Sequence, residues 1–492
     1  MSGPILYSVE VMENTSTTHI YDYLTKQANE LPDKPALICD DRTLTFSELW
    51  TEVQQFAGYL APQLSRDKQE VVAILLPNSW QFVVAHLGTL LAGHINMPLD
   101  PTYKKLEIGG ITEQQRPAHV ITHAKVKDEF DPEFTFTIIE DEAWKAADKL
   151  EQGLRLPAEE QIATLLFTSG TTGKPKITAY SHANHMWNPA AVSELWEWTQ
   201  DDTLLMSTPL SHWHGLAVIL NGGLLHGNTI YVQERFEPAK TLAKLESGDI
   251  SLYMHVPIAY YKMVEHEPSK QYNLSKVRLF VSGSSYLPPA IWHQFKNRFG
   301  HDILERYGSS ETGLIASNTL DERIPGSVGY VLPGVDVKVI DGELAMKSPG
   351  RFVGYYGNEE ATNAKITEDG YWMTGDLGEF EENGRLNLHG RVQEKMKKNG
   401  YTVFPRDIEW ALMKDERIGD AFVLGLQDKD ALSDRIVYFI VGDITEEQLQ
   451  EYCKQHLPAA WRPDMIRFLG AIPKSPAGKP KLAVLRASVT AE

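Results

Sequence analysis

The chain has 492 residues, and its 42% hydrophobic and 23% charged content is ordinary for a globular protein long enough for more than one domain. Its 66 acidic and 47 basic residues give a formal net charge of −19, which disfavours binding to nucleic acid or anionic lipid because no block of Lys and Arg offsets it. The only two cysteines, Cys39 and Cys453, exclude a disulfide framework and a cysteine-rich metal site.

The sequence also lacks the usual signals for export or for membrane insertion. Its N-terminal residues do not show a basic stretch followed by a long apolar one, which is the pattern of a secretory signal. The most apolar segment, residues 83–93, is shorter than the roughly 20 residues that span a bilayer. We therefore expect a cytoplasmic protein with no transmembrane segment.

Short β-branched runs alternate with segments of helical period over most of the chain. The run VVAILLP at residues 71–77 predicts a buried strand, residues 79–92 predict a helix, and HINMPL predicts the next strand. A second series, TLLFTS, DTLLMSTPL, NTIYVQ, ISLYMHVP and VRLFVSG, predicts further buried strands, each followed by a turn and a helix. This alternation favours a large N-terminal domain of layered α/β sheets.

The pattern changes twice towards the C-terminus. From about Pro325, the short runs VDVKVI, GELAMKS and GRLNLHG predict a small antiparallel, β-barrel-like unit. After Arg391, helix-like PRDIEWALMK and TEEQLQEYCKQHL and strand-like AFVLGLQ and RIVYFIVG predict a small α+β domain. We therefore place a domain boundary near residues 390–393, which gives domains 1–391 and 392–492.

The sharpest local motif is TSGTTGKPK at residues 168–176, directly after the strand-like TLLF. Glycines bring backbone N–H groups close to an anion, hydroxyls donate to phosphate oxygens, and lysines add positive charge. A Walker A loop is excluded, because Thr168 stands where that motif needs Gly and Pro175 where it needs Ser or Thr. The alternative is a polar loop without a ligand. The predicted phosphate-binding residues are Thr168, Ser169, Gly170, Thr171, Thr172, Gly173 and Lys174.

This loop resembles the signature loop of the adenylate-forming superfamily, which includes acyl-CoA synthetases, peptide-synthetase adenylation domains and firefly-type luciferases. Further motifs follow in the order of that superfamily, from residue 168 to residue 479. Weaker similarity reaches back to about Thr45. The resemblance is strongest to a free-standing acyl-CoA synthetase.

Two of these motifs resemble the nucleotide-binding segments of the superfamily. In YGSSETG at residues 307–313, Tyr307 offers a flat face to a base, Thr312 a hydroxyl to phosphate, and Glu311 a hard oxygen ligand to Mg²⁺. The alternative for this motif is a helix N-cap and turn. In YWMTGDLG at residues 371–378, Asp376 is suited to accept both ribose hydroxyls, although a plain Gly-Asp turn would look the same. Arg391 follows at the spacing of the family, which implies a contact with ribose or phosphate.

Three segments of the C-terminal part resemble the mobile lid domain of the family. Gln393 stands at the hinge position, which usually holds Asp or Lys, so the energetics of the hinge stay open. Gly400, in a motif that begins at Lys397, would let a pantetheine arm pass against bare backbone. Lys479, on a loop rich in Pro and Gly, matches the catalytic lysine that grips the α-phosphate and carboxylate during adenylation, with Lys474 and Lys481 as nearby alternatives.

Two more segments are similar to those that border the acid and the adenine. PLSHWHGL at residues 209–216 implies pocket roles for His212, Trp213 and His214, and leaves open which histidine faces the acid. SGSSY at residues 282–286 corresponds to the adenine-flanking segment, although the family more often has Gly-Gly-Ala-Pro there. That segment adds Gly283, Ser284 and Ser285 to the predicted site.

The resemblance implies an ATP-dependent, Mg²⁺-assisted reaction in two steps: a carboxylate and ATP give acyl-AMP and pyrophosphate, and the acyl group then passes to coenzyme A. Two alternatives remain, namely a ligase that loads a carrier-protein phosphopantetheine and a catalytically silent nucleotide-binding homologue. A fatty or aryl acid is favoured as substrate. Lys262 and Arg278 could hold a second carboxylate, but both are more typical of surface or structural cations.

Overall fold

The computed structural model describes residues 18–157, 159–168, 176–267, 269–398, 401–415, 417–426, 433–473 and 480–490. The strands in the first 355 residues are β1 (Pro35–Ile38), β2 (Thr43–Thr45), β3 (Val71–Leu75), β4 (Ile95–Pro98), β5 (His119–Thr122), β6 (Phe136–Ile138), β7 (Ile162–Thr168), β8 (Lys176–Ser181), β9 (Thr203–Met206), β10 (Thr229–Val232), β11 (Leu252–His255), β12 (Leu279–Ser282), β13 (Ile303–Ser309), β14 (Gly313–Ser317), β15 (Tyr330–Val331), β16 (Asp336–Ile340), β17 (Glu343–Lys347) and β18 (Gly354–Tyr355). The later strands are β19 (Trp372–Phe380), β20 (Leu386–Arg391), β21 (Met396–Lys398), β22 (Tyr401–Val403), β23 (Ile418–Leu426), β24 (Arg435–Gly442) and β25 (Met465–Phe468).

The helices of the same residues complete the layers. They are α1 (Ile20–Glu30), α2 (Phe46–Leu60), α3 (Trp80–Leu91), α4 (Lys105–Gln114), α5 (His182–Ser193), α6 (Asn221–His226), α7 (Pro238–Glu246), α8 (Pro257–Glu265), α9 (Pro289–Phe299), α10 (Glu359–Asn363), α11 (Pro405–Leu412), α12 (Glu446–His456) and α13 (Leu482–Thr490). None of the described helices combines the length and the apolarity that crossing a membrane requires.

Two large sheets form the N-terminal part. One has nine strands in the order β15-β14-β13-β12-β11-β9-β10-β1-β2 and is parallel from β13 to β1. The other has seven strands in the order β18-β8-β7-β4-β3-β5-β6. The largest apolar core joins α1, α2, α3, α5 and α6 to both sheets, while α7, α8 and α9 cover the other face of the nine-stranded sheet. The predicted layered α/β fold is confirmed.

Polar residues at the first turns fix where the central helices begin. Ser79 precedes α3 and its side chain accepts the N–H of Phe82, and Ser181 precedes α5 and accepts the N–H of Asn184. Thr45 and Glu48 form a reciprocal capping box at the start of α2. Each cap satisfies backbone donors that the helix itself leaves unpaired, so α3 and α5 can start directly at the sheet edge.

The C-terminal third contains two smaller units. The predicted β unit is a four-stranded antiparallel sheet in the order β16-β17-β19-β20. The following α+β part has a sheet of β23, β24 and β25 covered by α11 and α12. β20 ends at Arg391, and a short 3₁₀ turn, Val392–Glu394, leads into β21. The domain boundary near residues 390–393 stays a prediction.

One predicted connection differs in the structure. The strand-like TLLF was expected to be followed by a turn and a helix, but β7 is followed by β8, which pairs with it antiparallel and brings Thr168 opposite Lys176. The helix α5 begins only after β8. Residues 176–181 form a second, mostly buried strand. The phosphate-loop motif therefore lies between the two strands of one hairpin.

Four histidines come together in the buried layer between the two sheets: His19, His86, His182 and His185. The rings of His19 and His182 have centroids 4.6 Å apart, and the amide of Asn96 lies 2.8 Å from Nδ1 of His86. Burial lowers the pKa of His86 and of His185 to about 3, and it holds the pKa of His182 well below its usual range. These rings are therefore neutral in the folded protein at pH 7.

This cluster makes the stability of the fold sensitive to acid. A histidine whose pKa is lowered by folding binds a proton on unfolding at any pH between its folded value and about 6.5. The free energy of unfolding therefore falls as the pH is lowered from 7 to 5, by about 2 kcal/mol for each such histidine. We expect His185→Gln to make this pH dependence shallower by one such contribution, as measured by urea unfolding at pH 5, 6 and 7.

The exposed His293 supplies the matched control, and His293→Gln is expected to keep the pH dependence of the parent protein. If the free energy of unfolding depended on pH equally in the parent and in the His185→Gln variant, His185 would not be held neutral by the fold.

Candidate functional site

The candidate site lies where the parallel strands of the nine-stranded sheet end. His255, Ser282 and Glu305 lie side by side across β11, β12 and β13 in the strand register. The carboxyl ends of neighbouring parallel strands are the usual place for ligands in such sheets. Most of the described residues predicted from the nucleotide and acid motifs lie in these strands or in the loops that follow them.

Tyr307 and Asp376 are joined by a hydrogen bond. The hydroxyl of Tyr307 in β13 donates to Oδ2 of Asp376 in β19 at 2.7 Å. The guanidinium Nε of Arg391 lies 3.3 Å from the other oxygen, Oδ1. Asp376 is 8% exposed, and burial together with its charge raises the pKa of the Tyr307 phenol. The structure thus brings together three residues that the sequence assigned to the base, ribose and phosphate of a nucleotide.

The turn after Tyr307 orients Glu311. Oγ of Ser309 lies 3.3 Å from Oε2 of Glu311, and the phenol of Tyr355 donates to Oε1 at 3.3 Å. Thr312 is 1% exposed and its hydroxyl serves the turn, because it accepts the N–H of Ser309 and donates to the carbonyl of Gly313. The predicted contact of Thr312 with phosphate stays a prediction.

Only the ends of the predicted phosphate loop are described. Thr168 closes β7, and its hydroxyl donates to the carbonyl of Lys176 at 3.4 Å. The ammonium of Lys176 lies 4.4 Å from the centre of the Tyr355 ring, on the same tyrosine that contacts Glu311. Ser169, Gly170, Thr171, Thr172, Gly173 and Lys174 lie outside the described residues.

The two predicted pocket histidines have different surroundings. Nε2 of His212 lies 4.0 Å from Oδ2 of Asp100, and the side chain of His212 is 40% exposed. His214 is buried at the start of a π-helical segment, His214–Leu220, which follows the buried Trp213. Such π-helical turns are common at functional sites. His212 is therefore partly open to solvent, whereas His214 is buried.

Arg306 is a buried cation that the sequence did not indicate as functional. It is 3% exposed, and its guanidinium fills the space beside Gly283, where a Cβ would lie 2.4 Å from Nε. Its Nη2 lies 3.4 Å from the hydroxyl oxygen of Ser284. Burial lowers the pKa of Arg306 to about 10, and Nε has no hydrogen-bond partner among the described residues.

Other buried polar atoms at this edge of the sheet also lack partners. His214 is close enough to Arg306 for its pKa to respond to that charge, whereas His255 and Ser282 are in register with Glu305 and lie on the opposite face of the sheet. Both ring nitrogens of His214, Nε2 of His255 and Oγ of Ser282 are buried without a partner in the described part of the chain. Burial and the nearby charge of Arg306 hold the pKa of His214 well below its usual range, and burial lowers the pKa of His255 to about 4. Buried polar groups are nearly always hydrogen-bonded in proteins, so these atoms are candidate contacts of a polar ligand.

One sequence signal could have revealed Arg306. The strand ILERYGS contains two charged residues, Glu305 and Arg306, within five residues that are all buried. Charged residues are almost never fully buried unless they are paired, so their presence in a buried strand predicts a function. Neither cation that the sequence offers for a second carboxylate resembles Arg306: Arg278 pairs with Asp202 at 2.5 Å, and Lys262 is exposed.

The remaining predicted residues lie in the adenine-flanking loop and in the C-terminal part. Ser284 has a positive φ of 70°, and both Ser284 and Ser285 are exposed. Gln393 is exposed in the 3₁₀ turn after β20. The exposed Lys397 uses its backbone N–H to bond Oδ2 of Asp434 at 2.6 Å. Gly400 and Lys479 lie outside the described residues, so their predicted roles stay predictions.

Comparison with known proteins assigns the two parts of the chain to two family models. Residues 24–356 match the model of the AMP-binding enzyme, and residues 407–479 match that of the AMP-binding enzyme C-terminal domain. The chain is 27% identical to 4-coumarate-CoA ligase 1 of Narcissus pseudonarcissus, covering 96% of this chain and 94% of that protein. It is also 27% identical to the mitochondrial malonate–CoA ligase ACSF3 of Homo sapiens, covering 92% of this chain and 90% of that protein.

A solved structure has the same overall architecture. ATP-bound MatB from Rhodopseudomonas palustris is 26% identical, with a TM-score of 0.88 over 96% of this chain and 99% of that one. The apo form of MatB, also 26% identical with the same coverage, has a TM-score of 0.80. The whole chain is thus nearer in arrangement to the ATP-bound form. Since the first family model alone covers well over half of the sequence, the chain belongs to the AMP-binding enzyme family.

Proposed function

We propose that this protein is an ATP-dependent, AMP-forming acid–CoA ligase whose substrate is a short acid with a second carboxylate. The relatives named above are CoA ligases, and they match this chain over nearly its whole length. The observation that carries the substrate class is the buried guanidinium of Arg306, whose Nε has no partner among the described residues. Cytoplasm is the proposed compartment, in keeping with the free thiols of Cys39 and Cys453.

Tyr307, Asp376 and Arg391 form the nucleotide end of the proposed site. Asp376 keeps lone pairs available to accept ribose hydroxyls, because each carboxylate oxygen can accept two hydrogen bonds. Its contacts with Tyr307 and Arg391 hold both oxygens in place before the nucleotide arrives. Such preorganisation lowers the entropy that binding must overcome.

Glu311 fits the role of magnesium ligand. Its two carboxylate oxygens are held by Tyr355 and Ser309, and the residue is only partly buried. Mg²⁺ usually binds one or two carboxylates together with substrate phosphates and several waters, so one well-oriented carboxylate is sufficient. The ion would neutralise negative charge on the phosphates of ATP. No cluster of three or more metal-ligating side chains occurs in the described residues, as expected for such a site.

The proposed reaction has two steps. In the first, an oxygen of the substrate carboxylate attacks the α-phosphorus of ATP, the bond from that phosphorus to the bridging oxygen breaks, and pyrophosphate leaves. A carboxylic acid of ordinary pKa is already ionised at neutral pH, so this step needs no general base. Two anions must approach each other, and the proposed contribution of Lys479 is to offset that repulsion.

In the second step, the sulfur of a thiolate attacks the carbonyl carbon of acyl-AMP, and AMP leaves with both electrons of the C–O bond. CoA is the proposed thiol, because the matched relatives are CoA ligases. A carrier-protein phosphopantetheine would carry out the same chemistry and is treated as an outcome of the test below. We assign the hinge of the C-terminal domain to Gln393 and the approach of the pantetheine to Gly400.

The acid end of the site supports a substrate with a second negative group. A guanidinium removed from water without a counter-charge is costly, and a carboxylate on the ligand would supply both the charge and the hydrogen bonds. The unpartnered ring nitrogens of His214, whose pKa the nearby charge of Arg306 lowers, are further proposed ligand contacts. Arg306 packs against Gly283 in the adenine-flanking segment, which favours an acid whose two carboxylates are separated by only a few carbons.

This substrate class differs from the fatty or aryl acid that the sequence favoured. An apolar chain placed against Arg306 would leave the buried charge unpaired. An uncompensated buried charge is strongly unfavourable, so such an acid is expected to bind weakly. Both a malonate–CoA ligase and a 4-coumarate-CoA ligase are similar to this chain at 27% identity, so overall similarity does not separate the classes. The side chains at the acid end support the proposed dicarboxylate class.

The contact between Tyr307 and Asp376 predicts a specific effect on nucleotide binding. Tyr307→Phe keeps the aromatic ring but removes the hydrogen bond to the carboxylate, so the dissociation constant of AMP is expected to rise about tenfold. Titration calorimetry with AMP measures this without any acid. Tyr371→Phe is the control, because it removes a tyrosine–aspartate hydrogen bond, to Asp336, at the surface. Equal AMP binding by both variants would contradict the role of Tyr307.

Acid-dependent exchange of pyrophosphate into ATP tests the function directly. The panel contains malonate, succinate and glutarate beside acetate, a fatty acid, benzoate and an amino acid, each with and without CoA. We expect exchange to be strongest with a short dicarboxylate and to give a thioester when CoA is present. Exchange without thioester would favour a carrier protein, and the absence of exchange with every acid would contradict the ligase.

The guanidinium of Arg306 is tested by Arg306→Met. The loss of one partner of a buried charge pair is expected to lower kcat/KM for the best dicarboxylate at least about a hundredfold, while kcat/KM for acetate is expected to stay or rise. Arg323→Met is the matched control. Arg323 is a partly buried arginine whose Nε also lacks a partner among the described residues, and its Nη1 donates to a backbone carbonyl. A parallel loss for all acids with Arg306→Met would mean that Arg306 only supports the fold.

A further inference from the structure

A cation of the C-terminal part packs on a tyrosine of the N-terminal part. Arg406 is the second residue of α11, and its guanidinium carbon lies 4.0 Å from the ring centre of Tyr286. Tyr286 ends the adenine-flanking segment 282–286. A planar guanidinium over an aromatic face is an attractive contact of about 0.5–2 kcal/mol, depending on how far it is shielded from water. This contact therefore joins the C-terminal part to a loop of the nucleotide site.

Two carboxyl groups with unusual surroundings flank this cation. Glu305, in β13, is 5% exposed and accepts the N–H of Gly326 at 2.7 Å. Glu409, one turn after Arg406 in α11, accepts the N–H of Val423 at 2.7 Å. Burial raises the pKa of each carboxyl to about 8, and the charge of Arg406 opposes this rise in both. The charge of Arg406 thus lowers the pKa of one carboxyl group on each side of the proposed domain boundary.

A second contact lies next to the first. Nδ1 of His389 in β20 is 3.9 Å from Oδ1 of Asp407, and its ring stacks on Phe404 with centroids 5.9 Å apart. Asp407 raises the pKa of His389. The start of α11 therefore contacts the N-terminal part on two sides, at Tyr286 and at His389. Among the residues at the start of α11, Arg406 is the one whose charge also lowers the pKa of the buried carboxyl groups of Glu305 and Glu409.

We infer that Arg406 is a positioning residue that holds the C-terminal domain on the adenine-flanking loop during adenylation. The inference rests on the proposed function, because the two half-reactions need different placements of this domain. The arrangement here, which contains the contact, is nearer to ATP-bound MatB than to its apo form. When the domain rotates for thioester formation, Arg406 leaves Tyr286 and Glu305, while Glu409 moves with it on α11. The loss of Arg406 therefore destabilises the domain placement used for adenylation and leaves the placement used for thioester formation unchanged.

The test compares the two half-reactions separately. Acid-dependent pyrophosphate exchange measures adenylation, and thioester formation from synthetic acyl-AMP and CoA measures the second step. For Arg406→Ala we expect adenylation to slow fivefold or more, with thioester formation within twofold of the parent. Arg406→Lys keeps the charge but loses the planar fork, so it is expected to restore part of the adenylation rate.

Lys414→Ala supplies the matched control. The ammonium of Lys414 lies 5.3 Å from the ring centre of Trp410, so this variant removes a cation–aromatic contact within the C-terminal part alone. Both half-reactions of this variant are expected to equal those of the parent. Equal slowing of both half-reactions by Arg406→Ala, or slowing of neither, would overturn the inference.

Limited proteolysis separates a failure of this inference from a failure of the proposed function. Trypsin cleavage after the exposed Lys395, beside the proposed hinge, reports how often the domain leaves its placement. With a nucleotide bound, Arg406→Ala is expected to be cleaved there at least threefold faster than the parent and Lys414→Ala at the parental rate. This readout needs no turnover, so it holds even if no thioester forms. Equal cleavage of the parent and of Arg406→Ala would overturn the inference.

Discussion

The register of three parallel strands organises the whole site. β11, β12 and β13 end at one edge of the sheet, and their pairing puts His255, Ser282 and Glu305 in a row. Successive side chains of a strand point to opposite faces, so Glu305 and Tyr307 share one side of β13 and Arg306 faces the other. The first side contacts Gly326 and Asp376, and the second contacts Gly283 and Ser284. The two faces of one strand thus present different polar groups to the site.

Much of this architecture could be predicted from the sequence, because its signals are local. Buried strands such as β3 and β12 appear as short apolar runs, and the ordered motifs identified the family. The hairpin of β7 and β8 was missed, since a run like KITAYS gives no local sign of whether it pairs back or starts a helix. Arg306 was missed for a different reason. Whether a guanidinium is paired depends on residues distant in sequence, here Gly283 and His214, and this appears only in three dimensions.

The polar acid end also explains how such a site can be selective. A purely apolar pocket distinguishes acids that differ by a methylene by only about 1–3 kcal/mol. A site built around buried polar groups rejects a ligand that cannot pair them far more strongly, because every unpaired group adds its desolvation penalty. In the proposed function, Arg306 and His214 would disfavour monocarboxylic acids as much as they would favour a dicarboxylate. When no ligand is bound, the same unpaired groups lower the stability of the folded protein, which is typical of functional sites.

The distribution of charge around the site follows from the acidity of the whole chain. A protein with a net charge of −19 repels both ATP and an acid, so binding depends on local cations. Arg391 lies against Asp376, Arg406 lies among carboxyl groups, and Lys176 lies over Tyr355. In the described part of the site, Arg306 differs from these cations because neither a carboxylate nor an aromatic ring pairs with it. A buried cation without a counter-charge is consistent with the proposed acid, which brings one negative charge more than the reaction consumes.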